Sequence, residues 1–453
     1  MNIIEKNKSR IFELSVNQEK LRVQVESLDW EELATALDEC IFKKNQNSIP
    51  SEYGPASYLP ATPDTIEQEE LYAQAYQHGE ELIRSGKIAA FIVAGGQGTR
   101  LGYDGPKGTL PVSPIKNKPL FQLFAEQIRG VSEKYETVIP WYIMCSPLNL
   151  EATISHFEEN SYYGLAKEDI KFFAQGVMPA TDFAGNLLLA SEDSLALSPN
   201  GHGGSLKALI DSGSIKDMAD REVQHVSYFQ VDNPLVSTIN PLFIGLHDLQ
   251  KSDMSSRSLT KTGPFEKLGN FVSVGDRISI IEYSDLPEEK ALEKDESDQI
   301  KYRAGSPAIH ILRRDFIEQF ESGEVKLPYH RAEKKVVYVD ENGQLMTPDQ
   351  PNAVKFETFV FDALPFAKNP LILEADRGEE FSPVKNMTGV DSLESSKADQ
   401  IQKAKNWLLK AGHRCREDSI VEICPRSFPY PEDIQHADFE KIDLNQNEIY
   451  LSK

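Results

Sequence analysis

Ile88-Ala89-Ala90-Phe91-Ile92-Val93-Ala94 runs directly into Gly95-Gly96-Gln97-Gly98-Thr99-Arg100-Leu101-Gly102. A short, unbroken apolar run bounded by glycines predicts a strand buried on both faces of a sheet. Similar runs recur over residues 138–145, 170–173 and 226–231, with helix-like stretches over 120–128 and 205–210 between some of them. Strands alternating with helices predict an α/β architecture, a mostly parallel sheet with helices on both faces. In such sheets ligands bind beyond the carboxyl ends of the strands. The loop over 94–102 is therefore a site candidate by position alone.

Four glycines in the eight positions 95–102 let a backbone approach a ligand closely and present several N–H donors to phosphate oxygens. Two familiar loops are excluded by spacing. A dinucleotide fingerprint requires G-x-G-x-x-G, but Gly96-x-Gly98-x-x is followed by Leu101. A Walker loop requires G-K-[ST], whereas the downstream lysine here sits in Pro106-Lys107-Gly108. What remains is a glycine loop with Arg100 and Lys107 close behind it, two cations placed to clamp a pyrophosphate leaving group. The plainer alternative is a tight strand-to-helix turn with a solvated Arg and Lys.

This stretch resembles the signature of the eukaryotic-type UDP-sugar pyrophosphorylases, above all those acting on UDP-N-acetylhexosamines. Seven further segments match in the family's order: 175–180, 199–204, 230–233, 281–284, 304–305, 359–362 and 381–386. They span about residues 88–390, most of the chain. The resemblance implies a central Rossmann-like (GT-A-like) nucleotidyltransferase domain with a mixed, mostly parallel sheet. It also implies a helical N-terminal part over 1–86, a catalytic domain over 87–390 and a small C-terminal domain over 391–453. The implied reaction joins a sugar 1-phosphate to UTP with Mg²⁺, releasing pyrophosphate.

Carried over by motif, Gly95 and Gly96 lie against the uracil and ribose, and Gln175 reads the uracil edge. An amide offers an imide both a donor and an acceptor; without the family, a surface turn before Pro179 is the alternative. Asn200, Gly201 and Gly204 form a second backbone-lined loop suited to close packing on a base or sugar. His202, in that loop where the family usually carries Asn, is assigned no acid–base role. Asp232 ends an apparent buried strand, where a carboxylate suits Mg²⁺ completed by phosphate oxygens and waters; alternatively it opens a turn with Asn233-Pro234. Glu282 and Tyr283 match the family's sugar-binding pair, or simply end a strand over 277–281. Lys385 corresponds to a lysine that reaches the substrate phosphates, joining Arg100 and Lys107 as the cationic catalytic set. Phe361, with Phe359, offers an apolar niche for an N-acetyl group, or belongs to the core of a strand.

One motif departs from the pattern. Where N-acetylhexosamine enzymes carry Ala-Gly-Asn, this chain has Ala304-Gly305-Ser306, followed by Pro307, which removes a backbone donor. N-acetylglucosamine 1-phosphate is the expected sugar, with glucose or galactose 1-phosphate as the competitor. A nucleotide-sugar sensor would keep the loops but lose Arg100, Lys107, Asp232 and Lys385. A dinucleotide-dependent oxidoreductase fails on the fingerprint.

The bulk properties agree. At 453 residues the chain can bury a large core without disulfide or metal staples. A formal charge of -23 argues against nucleic acid or an anionic membrane as partner, since both demand a basic face. The four cysteines, Cys40, Cys145, Cys415 and Cys424, show no metal or redox spacing and read as reduced thiols of a cytoplasmic protein. The polar start, residues 1–10, predicts no secretory leader, and no apolar run approaches a membrane span. Ahead of the glycine loop, Asp29 with Glu32 predicts a helix cap, residues 48–63 a Pro- and Ser-rich break, and Asp64 the start of a helix that ends at Gly86. Oligomeric state is not legible.

Overall fold

The apolar run forms the strand Ile88–Val93, every residue of which is buried. Ile88, Ala90 and Ile92 enter one core with the helices Ile66–Arg84 and Leu120–Tyr135. Phe91 points the other way, its ring centroid 6.0 Å from that of Phe173 and 5.5 Å from that of Tyr228. A strand flanked on both faces has no polar side, which is why its sequence shows no alternation. The computed structural model describes residues 2–16, 18–43, 49–340 and 342–453.

Ile88–Val93 lies between two parallel neighbours, Trp141–Cys145 and His225–Gln230, and Ile170–Ala174 extends the parallel part. Val93 pairs with both Met144 and Gln230, so the three strands end level. The sheet then turns antiparallel: His310–Arg313 pairs with His225–Gln230, and Met254–Thr260 with His310–Arg313. Beyond these, Ala304–Ser306, Gly269–Val274 and Arg277–Ile281 continue the antiparallel half. The sheet is thus mixed: four successive parallel strands make the half that carries the glycine loop, and in the other half Leu371–Glu374 lies parallel to Met254–Thr260.

Two compact units emerge, and they interleave along the chain. One contains Tyr53–Ala174, Leu209–Ser322 and Leu364–Lys453 and holds this sheet. Its helices Ile66–Arg84 and Pro241–Leu249 cross so tightly that a Cβ added to Gly245 would lie 1.7 Å from the Ala75 carbonyl oxygen. The first of these helices is capped by Thr65, whose side chain accepts from Gln68 N, rather than by Asp64. It ends, as its sequence indicates, at Gly86 with φ +68°. At the C-terminus, the helix Leu393–Lys410 and the parallel pair Ile420–Ile423 and Glu448–Leu451 enclose Trp407, Val421, Phe428 and Ile449.

The other unit comprises Met1–Glu52, Gln175–Ala208 and Gly323–Ala363. Helices Ile3–Ser15, Glu19–Ser27 and Trp30–Leu37 bury Ile11, Leu21, Leu33 and Leu37 with Met178, Val354 and Phe356. Asp29 caps the third helix as expected, accepting from Glu31 N and Glu32 N. Within the helical region expected over 1–86, residues 1, 17 and 44–48 lie outside the described residues. So does residue 48 of the expected break, while 49–63 carry no helix. The boundaries expected at 86 and 390 coincide with no edge of either unit: the chain enters the sheet unit at Tyr53 and leaves it twice. Among the described residues, no helix is long and apolar enough to cross a membrane.

Gly245→Ala forces a methyl into the Ala75 carbonyl. It should destabilise the protein by about 1–3 kcal/mol, read as a lowered denaturation midpoint; an unchanged midpoint would mean that the two helices part without cost.

Candidate functional site

The level strand ends decide what shares the carboxyl edge of the sheet. Gly95 and Asp232 each follow the Val93–Gln230 pair by two residues, and the Val231 N–H donates to the Val93 carbonyl at 3.1 Å. The loop after Ile88–Val93 is internally braced. Lys107 N donates to the Gly96 carbonyl at 3.0 Å and Gly98 N to the Gly105 carbonyl at 2.9 Å. Gly98 is required by packing, since a Cβ there would lie 2.7 Å from the Tyr103 ring. Gly96 is different: its nearest neighbour would be Lys107 Cε at 3.8 Å, so its open side can receive a ligand. Arg100 lies exposed on the single turn Thr99–Leu101.

Lys107 Nζ sits 3.7 Å from Asp232 Oδ2, with the two side chains 16% and 19% exposed. The two residues that sequence placed in separate motifs thus meet as an ion pair at the mouth of the crevice. Asp232 is followed by a buried asparagine, Asn233, to which the sequence assigned no more than a place in a turn. Asn233 Nδ2 donates to the Glu380 carbonyl at 2.7 Å, and its Oδ1 accepts from Ser382 N at 3.0 Å. Val384 N completes the seam by donating to the Asp232 carbonyl at 2.8 Å. This stitches the segment carrying Lys385 alongside Asp232. Glu380 is itself held by a buried ion pair with Arg257 at 3.0 Å. Lys385 is exposed, its Nζ 5.9 Å from the Phe381 ring centroid.

Further along the sheet, Gly269 pairs with Ser306, and Glu282 Oε1 lies 3.7 Å from where a Cβ on Gly269 would stand. Glu282 and Ser306 therefore flank one glycine. Glu282 follows the strand Arg277–Ile281, and Tyr283 beside it is 45% exposed. Ser306 is buried, with Oγ accepting from Ala308 N at 3.4 Å.

In the other unit, Gln175 is buried and its amide nitrogen donates to the Gly201 carbonyl and to Asn200 Oδ1. The donor half of the amide is thus engaged by the protein itself, so the amide does not offer both a donor and an acceptor to a ligand. Asn200, expected at the sugar, is turned inward. A Cβ on Gly204 would stand 2.1 Å from its Oδ1, and its carbonyl accepts from Thr358 N at 2.8 Å. The glycines of this loop answer first to the protein's own backbone. Gly201, at φ +82°, would place a Cβ 2.3 Å from the Thr358 carbonyl oxygen. That close approach, which sequence attributed to a ligand, is to residues 357–359.

Phe361 is buried in the 3₁₀ segment Val360–Phe366, past the end of the strand Ala353–Glu357, so the strand alternative falls. It stacks on Phe359 at 5.0 Å between centroids. His202 packs against both rings, at 5.1 Å from Phe359 and 5.7 Å from Phe361, and its Nδ1 accepts from Val360 N at 3.2 Å. Enclosure pushes the His202 pKa down to about 4, with nearby His330 adding to the effect. The ring is a neutral spacer that joins the second glycine loop to the phenylalanines.

The comparisons agree with the fold and the class of protein. The family described as UTP–glucose-1-phosphate uridylyltransferase matches residues 43–443. A Schizosaccharomyces pombe protein named "Probable UDP-N-acetylglucosamine pyrophosphorylase" is 34% identical over 442 residues, 94% of this chain and 90% of its own. The UDP-N-acetylglucosamine pyrophosphorylase of Saccharomyces cerevisiae is 35% identical over 361 residues, 76% of this chain and 74% of its own. The crystal structure of a Trypanosoma brucei uridine diphosphate N-acetylglucosamine pyrophosphorylase in complex with an inhibitor shares the fold. Its TM-score is 0.81 at 22% identity, over 99% of this chain and 94% of that one. Fold and loops together define an enzyme of the nucleotidyltransferase class, a pyrophosphorylase. More narrowly, the chain belongs to the UTP–glucose-1-phosphate uridylyltransferase family.

Because the folded pKa of His202 is depressed, the folded state resists a proton that the unfolded chain takes up below about 6.5. Its contribution to stability is complete above that value and is lost as pH falls toward 4. An NMR titration should find the His202 midpoint well below 6.5, and His202→Asn should lose less stability than wild type on acidification through this window. A midpoint at or above 6.5 would show the ring to be solvated.

Proposed function

We propose that this enzyme joins N-acetylglucosamine 1-phosphate to UTP, giving the UDP-sugar and pyrophosphate. The observation that carries the reading is the shared strand end, which sets the Gly95–Gly96 backbone, Lys107 and Asp232 at one edge. In the reaction, a sugar-phosphate oxygen attacks the α-phosphorus of UTP in line. The new P–O bond forms as the bond to the β-phosphate oxygen breaks, and pyrophosphate leaves with that electron pair. No protein nucleophile is needed. Positioning and charge neutralisation supply the acceleration.

Gly95 and Gly96 face the nucleoside, with Gln175 Oε1 accepting from the uracil imide. Arg100 and Lys107 neutralise the departing phosphates, and Lys385 reaches the phosphates from the 381–386 segment. Among the described residues no three His, Cys, Asp or Glu side chains are grouped to hold a metal. A single carboxylate suits Mg²⁺, which retains waters and takes its remaining ligands from substrate phosphates. Asp232 would hold it, and bound there Mg²⁺ supplies Lewis-acid neutralisation of the phosphates. Lys107, 3.7 Å from that carboxylate, is then the cation nearest to the metal-bound phosphates.

Glu282 accepts from sugar hydroxyls beside Ser306, while Phe361 bounds the N-acetyl side. The short Ser306 side chain favours a second reading, glucose or galactose 1-phosphate, because it reaches less far than the family's Asn. Cys40, Cys145, Cys415 and Cys424 are all unpaired, three of them buried, which supports a cytoplasmic location.

Pyrophosphate release from UTP and Mg²⁺ should be fastest with N-acetylglucosamine 1-phosphate in a panel with N-acetylgalactosamine, glucose and galactose 1-phosphates. A clear preference for glucose 1-phosphate would replace the first sugar reading by the second. Asp232→Asn should lower kcat about 100-fold or more at saturating Mg²⁺; turnover within a few-fold of wild type would remove the metal assignment.

A further inference from the structure

Asn149 is fully buried where the loop after Trp141–Cys145 meets the helix Leu150–Glu159. An asparagine immediately before a helix ordinarily turns its side chain onto the first-turn N–H groups. This one makes no such cap. Its Oδ1 instead accepts from Ser146 N at 2.8 Å and Ser146 Oγ at 3.0 Å, which fixes the amide. Its Nδ2 donates to the Ala94 carbonyl at 3.0 Å and the Gly96 carbonyl at 3.3 Å.

The two carbonyls belong to the glycine loop, and peptide planarity gives the contact its meaning. In a trans peptide the C=O and the following N–H point in opposite directions. With the Ala94 carbonyl turned toward Asn149, the Gly95 N–H must point away from it. With the Gly96 carbonyl held likewise, the Gln97 N–H must too. One NH₂ group thus sets the direction of two donors spaced two residues apart. Among the described residues, the N–H groups of Gly95, Gly96 and Gln97 donate to no protein acceptor. Glycine peptides rotate more readily than others. Left untethered, this stretch would have to be ordered by its ligand at the ligand's cost in affinity.

We propose that Asn149 is a positioning residue for the nucleotide, its side-chain amide presetting the Gly95 and Gln97 N–H groups as the donors that receive UTP. This rests on the assignment of the 94–102 loop to UTP. Asn149→Asp keeps the size, the acceptor toward Ser146 and a side chain able to cap the helix, but sets an acceptor against the two loop carbonyls.

Steady-state kinetics of Asn149→Asp should show KM for UTP raised about tenfold or more. KM for the sugar 1-phosphate should stay within about twofold, while the carboxylate buried against two carbonyls lowers the thermal midpoint of the protein. Asn149→Ser, which restores a single donor, should fall between the two. UTP KM within about twofold of wild type in Asn149→Asp overturns the proposal. So do equal rises in both KM values, which would mark a purely structural residue. Lys107→Met, measured alongside, separates the two levels. If it impairs UTP turnover while Asn149→Asp does not, the positioning role alone fails. If neither variant affects UTP, the nucleotide assignment of the loop fails with it.

Discussion

Parallel pairing in register holds Ile88–Val93 between Trp141–Cys145 and His225–Gln230, and the whole crevice follows from that constraint. Side chains alternate faces along a strand, so a slip of one residue would turn Phe91 into the Ile88–Ala90–Ile92 core and carry Gly95 out of step with Asp232. The aromatic packing of Phe91 on Phe173 and Tyr228 on one face, and the helices on the other, make such a slip prohibitive. Core packing therefore sets the position of polar groups that contribute nothing to the core themselves.

Around that fixed edge, the crevice loops are joined by side-chain amides as well as by the sheet. Asn149 bridges the loops that follow two neighbouring strands, and Asn233 bridges the turn after a third to the segment bearing Lys385. In both places a planar amide fulfils both donor and acceptor demands of irregular backbone, which has no ladder to satisfy it. The exposed cations Arg100 and Lys385 ride on backbone so anchored. Their own side chains retain freedom to meet a ligand.

Much of this was legible in the chain. Unbroken apolar runs announced the four parallel strands, and the glycine loop with its failed fingerprints pointed away from dinucleotides toward phosphate chemistry. What stayed hidden has physical reasons. The antiparallel half arises from strands such as Ala304–Ser306 and Gly269–Val274, too short or too mixed in pattern to announce a direction. The inward turn of Asn200 and the packing of Gly201 against Thr358 depend on a segment more than 150 residues away, which no local pattern encodes. Asn149 and Asn233 look like ordinary turn residues until the backbone they hold is seen. Phe361 read equally well as strand or niche, because one aromatic on a short segment has no period to reveal its face.

The interleaving of the two units has a consequence for how the chain is made. The helices over 3–37 precede the rest of their own core by well over a hundred residues, for Ile11, Leu21, Leu33 and Leu37 bury themselves against Met178, Val354 and Phe356. Their core is therefore complete only once Val354 and Phe356 have joined it, when much of the sheet unit is already available to fold. Long-range closure of this kind is slow and leaves sticky surface open to aggregation. A consecutive arrangement of domains would not impose this order on the closing of the core.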